Sequence, residues 1–324
     1  MSDFASAVER ARNAFASVSR IEAALSRDPN DASLQVNLAA MSKLARQSQD
    51  QLLSFSGQQH VEVCNYRLLP EATSSYGLPF VSNSLLEYQN LFSQIHDAKR
   101  NGPKINAVIG KEALEESLLE FAYSYSGSLG VVLLAQNEKD FFEGRLDDSI
   151  DALFQVMDID SRDAVRDIGK TLGTAVVKRI HDWSAANIKG GFAADVRWNK
   201  SDGRQVGEVI ERRRMATIVE IIEATSDEHT EEIVAAGILV GGDLGSGSFH
   251  FVVPKGEDYR GHLAKEFSHD NDMTLGKRYV ARIRETSTTT YATQKVERKR
   301  ELLGLNPVPV LDGVIGPADP SVSE

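Results

Sequence analysis

The sequence is poor in cysteine and has no long apolar run. Cys64 is the single cysteine among 324 residues, so the chain cannot form an intramolecular disulfide, which agrees with a reducing compartment. The longest purely apolar run, Val131 to Ala135, is far shorter than the roughly 20 residues that a membrane-spanning helix needs. The chain opens into an amphipathic pattern without the basic and apolar regions of a secretory signal. We therefore expect a cytoplasmic protein that does not bind membranes.

The sequence also lacks a complete nucleotide-binding or metal-binding motif. Gly169-Lys170-Thr171 is similar to the end of a phosphate-binding P-loop, but Ala164 stands where that signature needs a glycine, and the surrounding periodicity is helical. The segment 269–272 combines one histidine with two aspartates and an asparagine. It lacks the glycine and the downstream glutamate of a calcium-binding loop, which favours a solvated loop. We expect no cofactor and no metal.

Three further groups of residues are candidate catalytic centres. The segment 126–130 is one residue short of the Gly-x-Ser-x-Gly nucleophile elbow, yet the apolar residues after it predict a strand, where an elbow needs a helix. A β-hairpin turn at 126–128 is therefore the better interpretation, with a serine hydrolase centred on Ser128 as an alternative. His181 and Asp182 are adjacent on a predicted helix and should point in different directions. Cys64 has no neighbour that would lower its pKa enough for a nucleophile, which predicts a buried structural thiol.

Composition and charge describe an ordinary acidic globular protein. The formal net charge is -11 and the pI is near 5.2, which argues against nonspecific adhesion of the whole chain to nucleic acid or to anionic membranes. A length of 324 residues exceeds what one hydrophobic core normally serves, so we expect two or three domains.

The first 57 residues predict an antiparallel helical hairpin. Apolar residues recur at helical spacing from Phe4 to Leu25 and again from Leu34 to Leu52. Asp28 is a suitable N-cap for the second helix and Pro29 a suitable first helical residue. Two helices joined by so short a connection must lie antiparallel.

Residues 58–230 predict a mixed α+β domain. The segment 60–69 alternates as a strand, with Cys64, Tyr66 and Leu68 on one face. The alternation on both sides of 126–128 predicts a β-hairpin. A long helix with one apolar face from Val165 to Trp183, a strand near 192–198 and a helix from about 206 to 224 complete the domain.

Residues 231–305 return to a period of two, with glycine turns between short strands. Five strands predict a small antiparallel β-barrel of the SH3-like or OB-like kind. The fold class is therefore α+β, with the barrel at the C-terminal side. Residues 306–324 contain isolated valines between prolines and predict a flexible tail.

Basic residues are concentrated in the last two strands of this predicted barrel. On one strand Arg278, Arg282 and Arg284 alternate with apolar residues, so that they should project from one face. Tyr259, Tyr291 and Phe249 are candidates for stacking on bases. The predicted nucleic-acid-binding residues are Arg278, Arg282, Arg284, Lys295, Arg298, Lys299 and Arg300. The simpler alternative is that these charges protect sheet edges from pairing.

The helical hairpin is too thin to bury two apolar stripes fully, and this favours association with a protein partner or with a second copy. The predicted partner-binding residues are Phe4, Val8, Phe15, Leu34, Leu38 and Met41. We therefore expect a non-enzymatic interaction, adaptor or assembly subunit of a bacterial complex. The alternatives are a nucleic-acid-binding protein that uses the basic face and the serine hydrolase at Ser128.

Overall fold

The computed structural model describes residues 2–72, 74–125, 129–137, 145–243, 245–254, 256–267 and 273–308. The chain divides into two compact units. The first contains residues 1–226 and 290–295, and the second contains residues 227–289 and those from 296 onward. The chain thus passes between the units three times, and the helical hairpin lies in the same unit as the middle domain.

The described part of the chain is mixed α+β, with eight helices and two sheets. The helices are α1 Ser2–Leu25, α2 Ala32–Gln59, α3 Leu78–Asn101, α4 Lys111–Glu116, α5 Arg145–Met157, α6 Arg162–Thr171, α7 Thr174–Gly190 and α8 Arg212–Glu223. The strands are β1 Val61–Pro70, β2 Glu120–Tyr125, β3 Leu129–Gln136, β4 Phe192–Asn199, β5 Gln205–Ile210, β6 Ser226–Asp243, β7 Ser248–Val252, β8 Asp258–Leu263, β9 Arg278–Thr290 and β10 Lys295–Pro307.

The predicted N-terminal helical pair is confirmed, but its second helix begins later than expected. Asp31, not Asp28, is the N-cap of α2, because its Oδ1 accepts hydrogen bonds from the backbone N–H groups of Ser33 (2.8 Å) and Leu34 (3.0 Å). These bonds satisfy two of the donors that a helix start leaves without partners. Pro29 therefore lies in the connection before α2.

The sheet of the first unit has the strand order β2-β3-β1-β4-β5, and each neighbouring pair is antiparallel. The predicted hairpin strands are confirmed by the pairing of β2 with β3. The turn at 126–128 lies outside the described residues. The predicted faces of β1 are also correct, since Cys64, Tyr66 and Leu68 lie in one buried cluster and Val61 and Val63 in another.

Two predicted helices of the middle domain were wrong in extent. The single helix expected across 165–183 is broken into α6 and α7 at Gly173, which has a φ of 93°. A Cβ there would lie 2.2 Å from the carbonyl oxygen of Lys104, so only glycine permits the close approach. The helix expected from Val206 starts at Arg212, because a turn at 200–203 folds β5 back onto β4.

Both faces of this sheet are covered by helices. The larger core lies on one face, where α3 and α5 to α8 pack on side chains such as Tyr66 and Trp198. The start of α1 and the end of α2 cover part of the other face, where Ala7 and Leu52 pack against Val63. Because that core is shared, the hairpin is an integral part of the first unit.

The five strands of the second unit form a closed ring in the order β10-β8-β7-β6-β9. The prediction that all pairs are antiparallel was wrong, because β10 and β8 are parallel, with Glu301 opposite His262 and Leu302 opposite Leu263. The physical reason is parity. Strand directions alternate in an antiparallel sheet, so a ring with an odd number of strands must contain at least one parallel pair.

Among the described helices, none combines the length and the apolar character that crossing a membrane would require.

Candidate functional site

A cleft opens between α1 and the edge of the sheet in the first unit. Its volume is about 490 Å³. Its walls come from α1, the end of α2, and the adjoining strands β1, β2 and β3. The lining residues are Phe4, Ala5, Val8, Glu9, Arg12, Gln59, Val61, Glu120, Phe121, Ala122, Leu134 and Gln136. The floor is mostly apolar and the rim is polar, which is typical of a binding site.

The cleft lies at one edge of the sheet, since β2 is the terminal strand in the order that the described residues form. Phe121 on β2 is 61% exposed. The register shifts between Phe121 and Tyr123, and this irregularity brings the carbonyl of Ala122 to Arg12. Arg12 donates to that oxygen from Nε (3.0 Å) and Nη2 (2.8 Å). The arginine therefore occupies one backbone acceptor of the edge strand and holds α1 beside it.

Two of the six predicted partner-binding residues, Phe4 and Val8, line this cleft. Phe15 does not line the cleft and is stacked on Tyr123, with ring centroids 5.4 Å apart. Leu38 and Met41 pack against the small cluster between α1 and α2. Leu34 is half-buried at the start of α2. The six residues do not all line the cleft, and partner binding by all six of them stays a prediction.

A row of residues that includes an arginine and an aspartate crosses the same sheet, perpendicular to its strands. The strand registers place Tyr125, Gly130, Arg67, Asp195 and Val209 side by side on β2, β3, β1, β4 and β5. Sequence reasoning did not find this row. The sequence gives one local indication of the row, because Arg67 and Asp195 are charged residues within strands β1 and β4, which are otherwise rich in apolar residues.

The predicted basic face of the second unit exists, but carboxylates neutralise much of it. Arg278 and Arg282 are exposed and Arg284 is half-buried, whereas Tyr279, Ala281 and Ile283 on the other face are buried, as the alternation predicted. At least five of the seven predicted residues have carboxylate partners among the described residues. These pairs are Arg282 with Glu232, Arg284 with Glu266 and Glu301, Arg298 with Glu285, Lys299 with Glu301, and Arg300 with Glu285 and Glu257. Lys295 belongs to the first unit.

The aromatic residues considered for base stacking are not accessible. Phe249 is 3% exposed in the core of the second unit, and Tyr259 is 9% exposed beneath the guanidinium of Arg300, 4.8 Å from its ring centroid. Tyr291 is 1% exposed in the core of the first unit. The prediction that these three rings stack on bases was therefore wrong. Because carboxylates pair with most of the basic side chains, their charge is no longer an argument for nucleic-acid binding. Nucleic-acid binding itself stays an untested prediction.

The remaining motifs have structural roles or lie outside the described residues. The segment 169–171 closes helix α6 with no strand before it. Cys64 is buried 3.4 Å from the Tyr88 hydroxyl, and burial raises the pKa of its thiol to about 12, as expected of a structural cysteine. Ser128 and the segment 269–272 are outside the described residues. The described residues contain no cluster of three potential metal ligands.

The expectation that His181 and Asp182 point apart was wrong. His181 Nδ1 lies 3.3 Å from Asp182 Oδ1, and its Nε2 lies 3.3 Å from Glu223 Oε1. Asp182 also accepts from Lys178 at 2.6 Å. The ring is placed by Glu223 at the end of α8, a partner that helical periodicity alone does not reveal. Both ring nitrogens face carboxylates, so the histidine links α7 to α8.

A hydroxyl, an imidazole and a carboxylate also lie in series between α5, α3 and α4. His96 Nδ1 is 3.0 Å from Ser149 Oγ, and Nε2 is 3.0 Å from Glu116 Oε2. This order resembles the relay of serine hydrolases. Ser149 is 0% exposed and His96 2% exposed, so a substrate carbonyl cannot reach the hydroxyl in this conformation. The three side chains instead connect three helices.

Comparison of the chain with protein-family models, curated proteins and solved structures found no match. The geometry of the chain itself is therefore what bears on its function.

Proposed function

We propose that this chain is a non-enzymatic interaction protein, an adaptor or assembly subunit, that binds a segment of a protein partner in the cleft between α1 and β2. One observation carries the proposal. Phe121 is 61% exposed beside an apolar cleft of about 490 Å³. A large exposed aromatic ring next to a pocket with a polar rim is the arrangement found at the centre of protein interfaces.

The size of the cleft indicates what the partner segment offers. A volume of about 490 Å³ suits one or two large apolar side chains rather than a whole domain. Phe4, Val8 and Phe121 would contact such an anchor. Because β2 is the terminal strand of the described sheet, an extended partner segment can lie alongside it, except at the carbonyl of Ala122, which already accepts from Arg12.

The charges on the rim favour a basic flank in the partner. Glu9 and Glu120 contribute two negative charges, and Arg12 contributes one positive charge. Arg12 already contacts Glu9 at 2.9 Å. The rim therefore carries a net negative charge, and a lysine or arginine beside the apolar anchor complements it. Association of the helical hairpin with a second copy remains a separate proposal.

For the second unit we propose the finer fold, a small barrel of the SH3-like or OB-like kind. Closure of the five-stranded ring supports it. So does the buried cluster that its described residues form, which includes Phe251, Tyr279 and Leu302.

A peptide-display selection tests the proposed function. A library of random peptides is panned on the full chain alone, and the enriched peptides are then measured against the wild type and the Phe121→Asp variant. We expect enriched peptides with an aromatic or aliphatic anchor flanked by lysine or arginine. Fluorescence polarisation should then give at least a tenfold loss of affinity for Phe121→Asp, because the charge places an unpaired carboxylate at the apolar contact.

Leu86→Asp is the matched control. Leu86 is 56% exposed on α3 and does not line the cleft. Its variant should bind the selected peptides like the wild type. The proposal fails if no peptide is enriched, or if the enriched peptides bind Phe121→Asp and wild type equally.

A further inference from the structure

A further cavity in the first unit lies between α5 and β5, and its volume is about 370 Å³. In the order that the described residues form, β5 is the terminal strand at the edge opposite β2. Val206 and Glu208 share one face of β5, and Trp198 opposite Val206 identifies it as the face of the larger core. The lining residues are Asp151, Phe154, Val206, Gly207 and Glu208. The cavity therefore combines apolar surface with two carboxylates.

The carboxylate of Asp151 is held by a buried cation. Lys200 directly follows β4, and its side chain is 0% exposed. Its Nζ lies 2.6 Å from Asp151 Oδ1 and donates to the carbonyl oxygen of Asp147 at 3.4 Å. The Asp151 side chain is itself 45% exposed. A buried ammonium needs a paired carboxylate, so this ion pair fixes Asp151 at the wall of the cavity.

The carboxylate of Glu208 is held by a cation from α8. Arg214 donates to Glu208 Oε1 and to Asp158 Oδ1. The Asp158 side chain is 77% exposed and does not line the cavity. Among the described residues, the contacts of the Asp151 carboxylate use Oδ1 and those of Glu208 use Oε1. One oxygen of each lining carboxylate is therefore left for a ligand.

The charges around the cavity favour a cation. Asp151, Glu208 and Asp158 contribute three negative charges, whereas Lys200 and Arg214 contribute two positive charges, so this ion-paired group has a net charge of -1. The apolar lining favours an organic cation over a metal ion. Its side chains offer no oxygen ligands, and a calcium ion takes about six to eight of them.

We infer that this cavity binds a small aliphatic amine in its ammonium form. A primary ammonium group has three N–H donors, which can pair with the remaining oxygens of Asp151 and Glu208. Its hydrocarbon chain would lie on Phe154 and Val206, where apolar surface is removed from water. A volume of about 370 Å³ is near the lower end for small-molecule sites and suits such a ligand. This site is separate from the cleft at Phe121, and neither proposal depends on the other.

Titration of the full chain with butylamine at neutral pH, followed by ligand-observed NMR, tests the inference. We expect saturable binding of butylamine. Tetramethylammonium carries the same charge without N–H donors and should bind about tenfold more weakly. The uncharged 1-butanol should show no saturable binding. Nα-acetyl-lysine methylamide presents the same ammonium group from a peptide, and it should bind more weakly than butylamine because the cavity suits a small molecule.

Glu208→Gln should weaken butylamine binding about tenfold, because it removes one of the two carboxylates that line the cavity. Asp158→Asn is the matched control, since it removes the same charge from the same guanidinium but lies outside the lining. That control should bind butylamine like the wild type. Arg214 keeps one carboxylate partner in either variant, so both should remain folded, which thermal melting checks.

The inference is overturned if butylamine does not bind, or if tetramethylammonium or the blocked lysine binds as tightly. It is also overturned if calcium chloride at the same concentration displaces butylamine, or if Glu208→Gln and Asp158→Asn lose affinity equally.

Discussion

The ring of Tyr125 lies over Gly130, its cross-strand neighbour in the pairing of β2 with β3. A Cβ at Gly130 would lie only 2.2 Å from Cζ of that ring. The glycine therefore makes room for the aromatic ring, and the ring in turn covers a strand position that has no side chain of its own. The relationship joins the edge of the sheet to the polar row at Arg67.

The first prediction concerns this pair. Gly130→Ala should lower the free energy of unfolding by about 1–3 kcal/mol, because the new methyl group forces the Tyr125 ring out of place. In the background of Tyr125→Ala the same substitution should be nearly neutral, since the obstacle is gone. Urea unfolding followed by tryptophan fluorescence is the measurement. Equal effects in both backgrounds would contradict the proposed contact.

Tryptophan fluorescence is well suited to the first unit. Trp183 and Trp198 are the only tryptophans of the sequence, and both belong to that unit. The signal therefore reports the unfolding of the first unit without a direct contribution from the second.

The second prediction concerns the contact of the helical hairpin with the sheet. Phe15 and Tyr123 are stacked with an interplanar angle of 19°. A double-mutant cycle with Phe15→Ala and Tyr123→Ala should give a coupling of about 0.5–1.5 kcal/mol. Phe15→Ala combined with Met215→Ala is the control, because Met215 belongs to the core on the opposite face. A coupling near zero for the first pair would mean that the hairpin is not packed on the sheet in solution.

The third prediction concerns the connection between β9 and β10. Tyr291 is buried in the first unit, where a Cβ on Gly169 would lie 3.2 Å from its hydroxyl oxygen. Gln294 follows with a φ of 55° and accepts a hydrogen bond from the Ala107 N–H at 3.1 Å. Tyr291→Ala should therefore destabilise the first unit by about 3 kcal/mol or more, as for other buried aromatic truncations. Tyr291→Phe should lower the free energy of unfolding much less. If Tyr291→Ala leaves the midpoint of urea unfolding unchanged, Tyr291 is not buried in the first unit.

The fourth prediction is a pH dependence. Hydrogen bonds to Asp182 and Glu223 raise the pKa of His181 above its ordinary value of 6.5, against the opposing effect of burial. Because the folded pKa is the higher one, this stabilisation is complete below pH 6.5 and is lost as pH rises through the folded pKa. Lys178 also faces Asp182, with its Nζ 2.6 Å from Oδ2. His181→Gln should therefore lower the Tm more at pH 5.5 than at pH 8.5, and an equal decrease at both values would exclude the link.

Local signals were sufficient for most elements of the fold. Period and turn chemistry predicted the helical pair, the strands of the first hairpin and the number of strands in the ring. Gly173 shows where local reasoning ends. The residues around it keep one helical face, and the break depends on the backbone of Lys104, which is distant in sequence.

The sites were harder to predict than the elements, because they depend on register. Arg67 and Asp195 are 128 residues apart, and nothing in either strand specifies that they face each other. Tyr291 lies in a hairpin that otherwise belongs to the second unit, so composition alone favoured an exposed ring. The alternation of arginines with apolar residues along β9 was predicted correctly. The carboxylates that pair with these arginines, such as Glu232 and Glu266, come from other segments of the chain.

The most direct test of the central claim is hydrogen exchange of the full chain with and without a peptide selected for binding. The account predicts protection of backbone amides in α1 near Val8, in β2 near Phe121 and at the end of β3 near Leu134, with no change in the second unit. Protection should vanish in Phe121→Asp at the same peptide concentration. Protection confined to the end of α1 and the start of α2, or to the second unit, would contradict the cleft as the partner-binding site.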